Sequence, residues 1–102
     1  MADISGISRS ALAAYGVRHA VTANNVANIN TPDFKASSAV MKENREGGVT
    51  ASVTRGPDSV EISKEAVDML ETANGYEANL KTLMVNDRME KDLLELYASS
   101  DR

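Results

Sequence analysis

The sequence predicts a mainly α-helical fold: two long helices, N- and C-terminal, form an antiparallel coiled-coil-like pair with a small β-hairpin between them. Three observations support this fold class. Apolar residues recur at helical spacing in an N-terminal and a C-terminal segment, and the segment between them alternates apolar with polar residues. The 102 residues are 42% apolar but only 4% aromatic, so a core must be built from aliphatic residues and methionine, as is typical of packed helices.

The first helix is predicted over residues 4–29. Its apolar residues recur every three or four positions, in a stripe and an adjoining row that comprise Ile4, Ile7, Ala11, Ala14, Val21, Leu12, Tyr15 and Val26. Pro32 is expected to mark its end, because the residue before a proline is disfavoured in the helical region.

The β-hairpin is predicted over residues 36–55. Residues 49–54 alternate Val or Ala with Thr or Ser, which is the period of a strand. The pair Gly47-Gly48 precedes this strand and is expected to form the turn.

The second helix is predicted over residues 63–98. Steps of three and four alternate along an apolar row typical of a coiled-coil seam: Ala66, Met69, Ala73, Tyr76, Leu80 and Leu83. The row continues with a drift in phase through Val85, Met89, Leu93 and Leu96. Asn74-Gly75 is a common hairpin turn, but here it lies within unbroken helical periodicity, which favours a continuous helix. The opposite face is expected to be solvated and carries Glu61, Glu65, Asp68 and Glu71.

The length of the second helix predicts assembly. At about 1.5 Å per residue it extends roughly 54 Å, whereas a compact chain of this size has a radius of gyration of about 13 Å. The shorter first helix covers only part of the apolar row, so the remainder must contact a partner or stay poorly ordered. We therefore expect one structural unit that forms homo-oligomers in isolation, composed of an N-terminal helix (1–30), a linker with the hairpin (31–62) and a C-terminal helix (63–102).

Charge and composition exclude several classes of protein. The net charge of −4 argues against a nucleic-acid-binding protein, which needs a basic face to neutralise phosphates. The chain has no cysteine, so it has neither a disulfide framework nor a thiolate metal site. No stretch reaches the length of a membrane span, and the N-terminus lacks the pattern of a cleavable signal peptide, so we expect no membrane insertion.

The sequence contains no recognisable catalytic or cofactor-binding motif. His19 is the only histidine and has no acidic residue or cysteine at metal-ligand spacing, which favours a structural or solvent-exposed residue over a catalytic base. Met69, Met84 and Met89 are spaced like core or interface residues and not like a metal-binding cluster. We therefore expect a non-enzymatic protein without metal or cofactor.

Asparagines cluster where the first helix ends, at Asn24, Asn25, Asn28 and Asn30. Asn25 and Asn28 occupy the two positions that follow Val21 on the apolar stripe. One interpretation is that they cap the end of the helix, because Asn tolerates the left-handed conformation found there. The other is that their amides lie on the packing face and fix register and partner identity at a cost in stability.

The segment "ALAAYGVRHAVTANNVANINTPDFK" resembles the N-terminal signature of the bacterial flagellar basal-body rod and hook protein family. The matching residues are Asn24, Asn25, Val26, Ala27, Asn28, Asn30, Thr31, Phe34 and Lys35. The C-terminal block is similar to the family's second motif at Met69, Tyr76, Glu77, Ala78, Asn79 and the pair Leu93-Leu94. Asp33 stands where the family usually has Gly, which Asp accommodates if the turn needs a positive φ. The short middle segment resembles a minimal, proximal-rod-like member.

The resemblance implies a structural subunit whose terminal helices assemble with neighbouring subunits into the axial tube. Its implied partners are other copies of itself, other rod and axial proteins, and the flagellar type III export apparatus, which uses an uncleaved signal; the implied location is the basal body. The residues expected to make assembly contacts are Asn24, Asn25, Asn28, Asn30, Thr31, Phe34, Tyr76, Asn79, Leu80 and Leu83. The alternative is a free-standing helical-hairpin adaptor unrelated to flagella. Whether the helices pair within or between chains stays open.

Overall fold

The computed structural model describes residues 4–100, which form two helices and one hairpin. The elements are α1 (Ile4–Ala27), β1 (Ser37–Glu43), β2 (Val49–Arg55) and α2 (Ile62–Ser100). This arrangement confirms the predicted fold class, including the continuity of α2 through Asn74-Gly75. Residues 1–3 and 101–102, the outer ends of the predicted N- and C-terminal segments, lie outside the described residues.

α1 ends at Ala27, two residues before the predicted end and five residues before Pro32. The backbone N–H of Asn28 donates to the carbonyl oxygens of Asn24 and Asn25, both at 3.2 Å. A turn follows in which Asp33 has a φ of 60°. The expectation that Asp33 accommodates a positive φ is thus confirmed.

The hairpin follows the predicted limits. Its antiparallel register runs from Ser37 opposite Arg55 to Glu43 opposite Val49. Gly47 has a φ of 92° in the connecting turn, a conformation that glycine adopts without a steric penalty. The hairpin packs on α1, where the Val49 amide N–H donates to the Ser10 hydroxyl at 2.9 Å.

The two helices pair within the chain and run antiparallel. Asn25, near the end of α1, contacts Glu65 near the start of α2, and the Tyr15 ring lies against Gly75 in the middle. A Cβ at position 75 would overlap that ring, so Gly75 permits this close contact. α1 therefore packs against both α2 and the hairpin.

The prediction of which face of α2 packs inward was wrong. Met69, Tyr76 and Leu80 of the predicted seam are between 39% and 43% exposed, whereas Glu65, which was predicted to be solvated, is buried, and so is Thr72, which was assigned to neither face. The physical reason lies in α1, whose buried side chains are small or polar: Ser8, Ala11, Ala14, Thr22 and Asn25. Such a surface is complementary to glycine, threonine and a hydrogen-bonded carboxylate, so these residues of α2, and not its large apolar side chains, are the ones that become buried against it.

The molecule is elongated because α2 extends beyond α1. The radius of gyration is 18.6 Å and the extents are 70 × 25 × 15 Å, against about 13 Å for the radius of gyration of a compact chain of this size. Every residue from 87 to 100 is exposed. We call residues 87–100 the projecting end of α2. Neither helix within residues 4–100 has the combination of length and apolar character needed to cross a bilayer.

Candidate assembly surface and its supporting network

Asn25 joins three elements through one buried carboxamide. The side chain is 1% exposed, and its Nδ2 donates to the Glu65 carboxylate at 2.9 Å and to the Ser37 carbonyl at 2.8 Å. Its Oδ1 accepts from the Ser37 amide N–H at 2.9 Å. Both amide hydrogens and one oxygen lone pair are therefore used. These bonds fix α1, the start of β1 and α2 relative to one another.

Glu65 is the buried carboxylate that this amide contacts. It is 2% exposed, and its Oε2 has no hydrogen-bond partner among residues 4–100. A polar cavity of about 200 Å³ lies beside it, with Arg18, Lys64 and Asp68 in its walls. A cavity of this size and polarity is able to admit water to the carboxylate, which lowers the cost of burying its charge.

Arg18 forms the second link between the helices. Its guanidinium donates to Glu71 at 2.6 Å and to Asp68 at 3.3 Å. The hydrogen bond with Glu71 is the largest cause of a raised Arg18 pKa; partial burial opposes it, and Asp68 adds to it. The guanidinium thus remains charged at every physiological pH.

The remaining asparagines of the cluster lie at the surface end of α1. Asn28 is half-buried; its Nδ2 donates to the Asn24 carbonyl at 2.9 Å, and its Oδ1 accepts from the Thr31 hydroxyl at 3.1 Å. Its carboxamide therefore caps its own helix and, unlike that of Asn25, bonds to no other element. Asn24, Asn30 and Thr31 are exposed around it.

Phe34 follows this turn and is half-buried. The Arg55 guanidinium lies over its ring, 4.9 Å from the centroid, and the Arg55 Nε donates to the Lys35 carbonyl at 3.3 Å. A cation over an aromatic face at this distance is attractive. The contact ties the turn after α1 to the end of β2.

An apolar groove of about 450 Å³ runs along the outer side of the helix pair. Its walls comprise Tyr15, Gly16 and His19 of α1 and Met69, Thr72, Ala73, Tyr76, Glu77 and Leu80 of α2. We call this surface the interhelical groove. The structure brings Tyr76 and Leu80 together there. Asn79 and Leu83 are half-buried on neighbouring turns, and the Asn79 amide donates to the Gly75 carbonyl at 2.8 Å.

Sequence reasoning missed the residues that hold the helices together: Arg18, Glu65, Thr72 and Gly75. A signal was available, because Glu65, Asp68, Thr72, Gly75 and Asn79 follow steps of three and four as regularly as the apolar row does. These residues are polar or small, so hydrophobic periodicity did not mark them. Among residues 4–100, no group of acidic or histidine side chains is arranged to hold a metal ion.

The fold and its uncovered apolar row define an elongated two-helix protein with a large exposed hydrophobic surface. Residues 7–35, which comprise most of α1 and the turn after it, match the family model described as "Flagella basal body rod protein". This match confirms the predicted resemblance to the flagellar basal body rod family over the N-terminal segment of the chain. The match does not extend to the C-terminal block, whose resemblance stays a prediction. A search of curated proteins gave no significant match.

Proposed function

We propose that the chain is a non-enzymatic structural subunit of the flagellar basal-body rod. In this proposal its terminal helices assemble with other copies and with other rod and axial proteins into the axial tube. The chain reaches the basal body through the flagellar type III export apparatus, without removal of a signal peptide.

The observation that carries the proposal is the uncovered apolar row of α2. Large apolar side chains are exposed along the helix from Met69 through Leu80 and Met89 to Leu96, over most of its length. A contiguous exposed apolar surface of this kind marks an interaction site, because soluble monomers rarely keep one. Together with the family match over residues 7–35, this row favours burial between subunits.

The residues predicted to make assembly contacts have different proposed roles. Asn25 sets the spacing of α1, α2 and β1 inside one subunit, because its carboxamide is buried and bonds to Ser37 and Glu65 of the same chain. Asn24, Asn30 and Thr31 are exposed at the end of α1 and are available for contacts with a neighbouring subunit, as are Tyr76 and Leu80 on α2. Phe34 positions the turn between these surfaces.

The experiment is complementation of a strain from which the gene has been deleted. The wild-type chain should restore rods in electron micrographs of basal bodies and should co-purify with them. Leu93→Gln, which places an amide in the apolar row, should fail in both respects. Glu90→Gln is the matched control, because Glu90 is exposed on the same segment but outside the row. The proposal would be refuted if rods form in the deletion strain and if basal bodies of the complemented strain lack the tagged chain. That result would favour a separate adaptor.

A further inference from the structure

We propose that the interhelical groove binds the projecting end of α2 from a second copy of this chain. This inference rests on the proposed function and specifies the contact by which copies join. In the proposed contact an amphipathic helix lies in an apolar groove, and its anchor residues all lie on one face of that helix.

The groove has the shape that such a helix needs. One wall includes Gly16, which is exposed and has no atom within 4 Å of the position its Cβ would take. An incoming helix can therefore approach the α1 backbone closely at this point. Met69, Tyr76 and Leu80 form the apolar opposite wall.

The projecting end supplies a matching row. Met89, Leu93 and Leu96 recur at spacings of four and three and therefore share one face of the helix. Each is at least 59% exposed. Residues 87–100 extend roughly 20 Å, and the groove wall from Met69 to Leu80 extends roughly 17 Å, so the two surfaces are similar in length.

Charge favours the groove over pairing of two projecting ends. The projecting end carries four acidic and two basic residues, whereas α1 has no acidic residue and carries Arg9 in addition to Arg18, whose charge is already paired with Asp68 and Glu71. Arg9 is exposed and lies two turns before Gly16 on the same face. At the α2 edge of the groove Glu77 is paired with Lys81 at 3.2 Å, and Glu71 is paired with Arg18. Two projecting ends side by side would bring like net charges together.

The occupant must come from another copy. One wall of the groove and the projecting end are parts of the same continuous helix α2, so a chain cannot place its own end in its own groove. Each copy then offers one groove and one end. A heterologous contact of this kind repeats from copy to copy and gives an open polymer unless rotation closes it into a ring.

Cross-linking between two singly substituted chains tests the contact directly, because the chain has no native cysteine. Ala73→Cys places a thiol in the groove, and Leu93→Cys places one on the projecting end. When the two full-length variants are mixed under mild oxidation, the mixed disulfide dimer should be the main product. Dominant pairing of Leu93→Cys chains with each other, or no mixed dimer, would overturn the inference.

Filling the groove gives the second test. Gly16→Leu should leave the fold intact, because the position is open and Leu favours a helix over Gly. It should nevertheless reduce the yield of Ala73–Leu93 mixed dimers at least tenfold when carried on the groove variant. The matched control is Ala13→Leu, which adds the same side chain at an exposed α1 position outside the groove and should leave the yield unchanged. Equal yields for both variants would overturn the inference.

The outcome in cells separates this inference from the proposed function. If the tagged chain is present in basal bodies but Ala73→Cys there cross-links to a different protein and never to Leu93→Cys, this inference fails and the proposed function stands. If the mixed dimer forms with purified chains but the chain is absent from basal bodies, the contact stands and the proposed function fails.

Discussion

Replacing Asn25 by alanine should cost a large part of the stability of this small protein. The two hydrogen bonds with the Ser37 backbone contribute about 1 kcal/mol each, and the bond to the Glu65 carboxylate contributes about 2 kcal/mol because its acceptor is charged. Alanine recovers about 0.5 kcal/mol through its helix propensity, and water entering the neighbouring cavity recovers some more. We expect a net loss of about 3 kcal/mol in the free energy of unfolding, against about 5–15 kcal/mol for a typical domain.

The assay is urea denaturation followed by circular dichroism, in dilute solution where self-association does not contribute. Asn24→Ala is the control, because Asn24 is the adjacent residue, is exposed and should change the stability by less than about 0.5 kcal/mol. A double-mutant cycle with Glu65→Gln then isolates the Asn25–Glu65 interaction. Equal effects of Asn25→Ala and Asn24→Ala would refute the view that the buried carboxamide fixes the three elements.

Three further substitutions, with Gly16→Ala as a comparison for the first, test the helix interface by the same denaturation measurement. Gly75→Ala should lose about 1 kcal/mol because its Cβ displaces the Tyr15 ring, whereas Gly16→Ala, with open space around it, should gain up to about 1 kcal/mol; a gain at both positions would contradict the Tyr15 contact. Thr72→Val should stabilise by about 1 kcal/mol, since it removes a buried hydroxyl that has no partner among the described residues, and a clear loss would mean that the hydroxyl is bonded. Arg18→Met should cost about 1 kcal/mol, and added salt should reduce this difference. The Arg18 pKa is raised in the folded chain, so the stability that the charged guanidinium contributes is present below the unfolded-state pKa and disappears only at strongly basic pH. The destabilisation caused by Arg18→Met should therefore be constant across the neutral range.

Local sequence features predicted the elements because each element is determined by nearby residues. The hairpin turn at Gly47 and the positive φ at Asp33 follow from what those residue types tolerate in the left-handed region. The continuity of α2 through Gly75 follows from periodicity on both sides of it. These features depend on neighbours along the chain, which the sequence displays directly.

The packing of the two helices was not predictable by the same means. Hydrophobic periodicity indicates that the row containing Met69 and Leu80 avoids water, but it does not say whether the partner is α1 or another molecule. The actual interface depends on a pair 40 residues apart, Asn25 and Glu65, whose burial is acceptable only because they bond to each other. A prediction based on polarity alone therefore placed Glu65 on the solvent-exposed face of α2.

The projecting end gives α2 two dynamic regimes along one continuous helix. Residues 62–86 lie alongside α1, whereas the 14 residues from 87 to 100 are all exposed, and their helix is held by hydrogen bonds within α2. An isolated helical segment of about this length is marginal in water. The amide protons of the projecting end should therefore exchange rapidly with deuterium in dilute solution. Slower exchange at individual residues between 87 and 100 would then show that one subunit has bound the next.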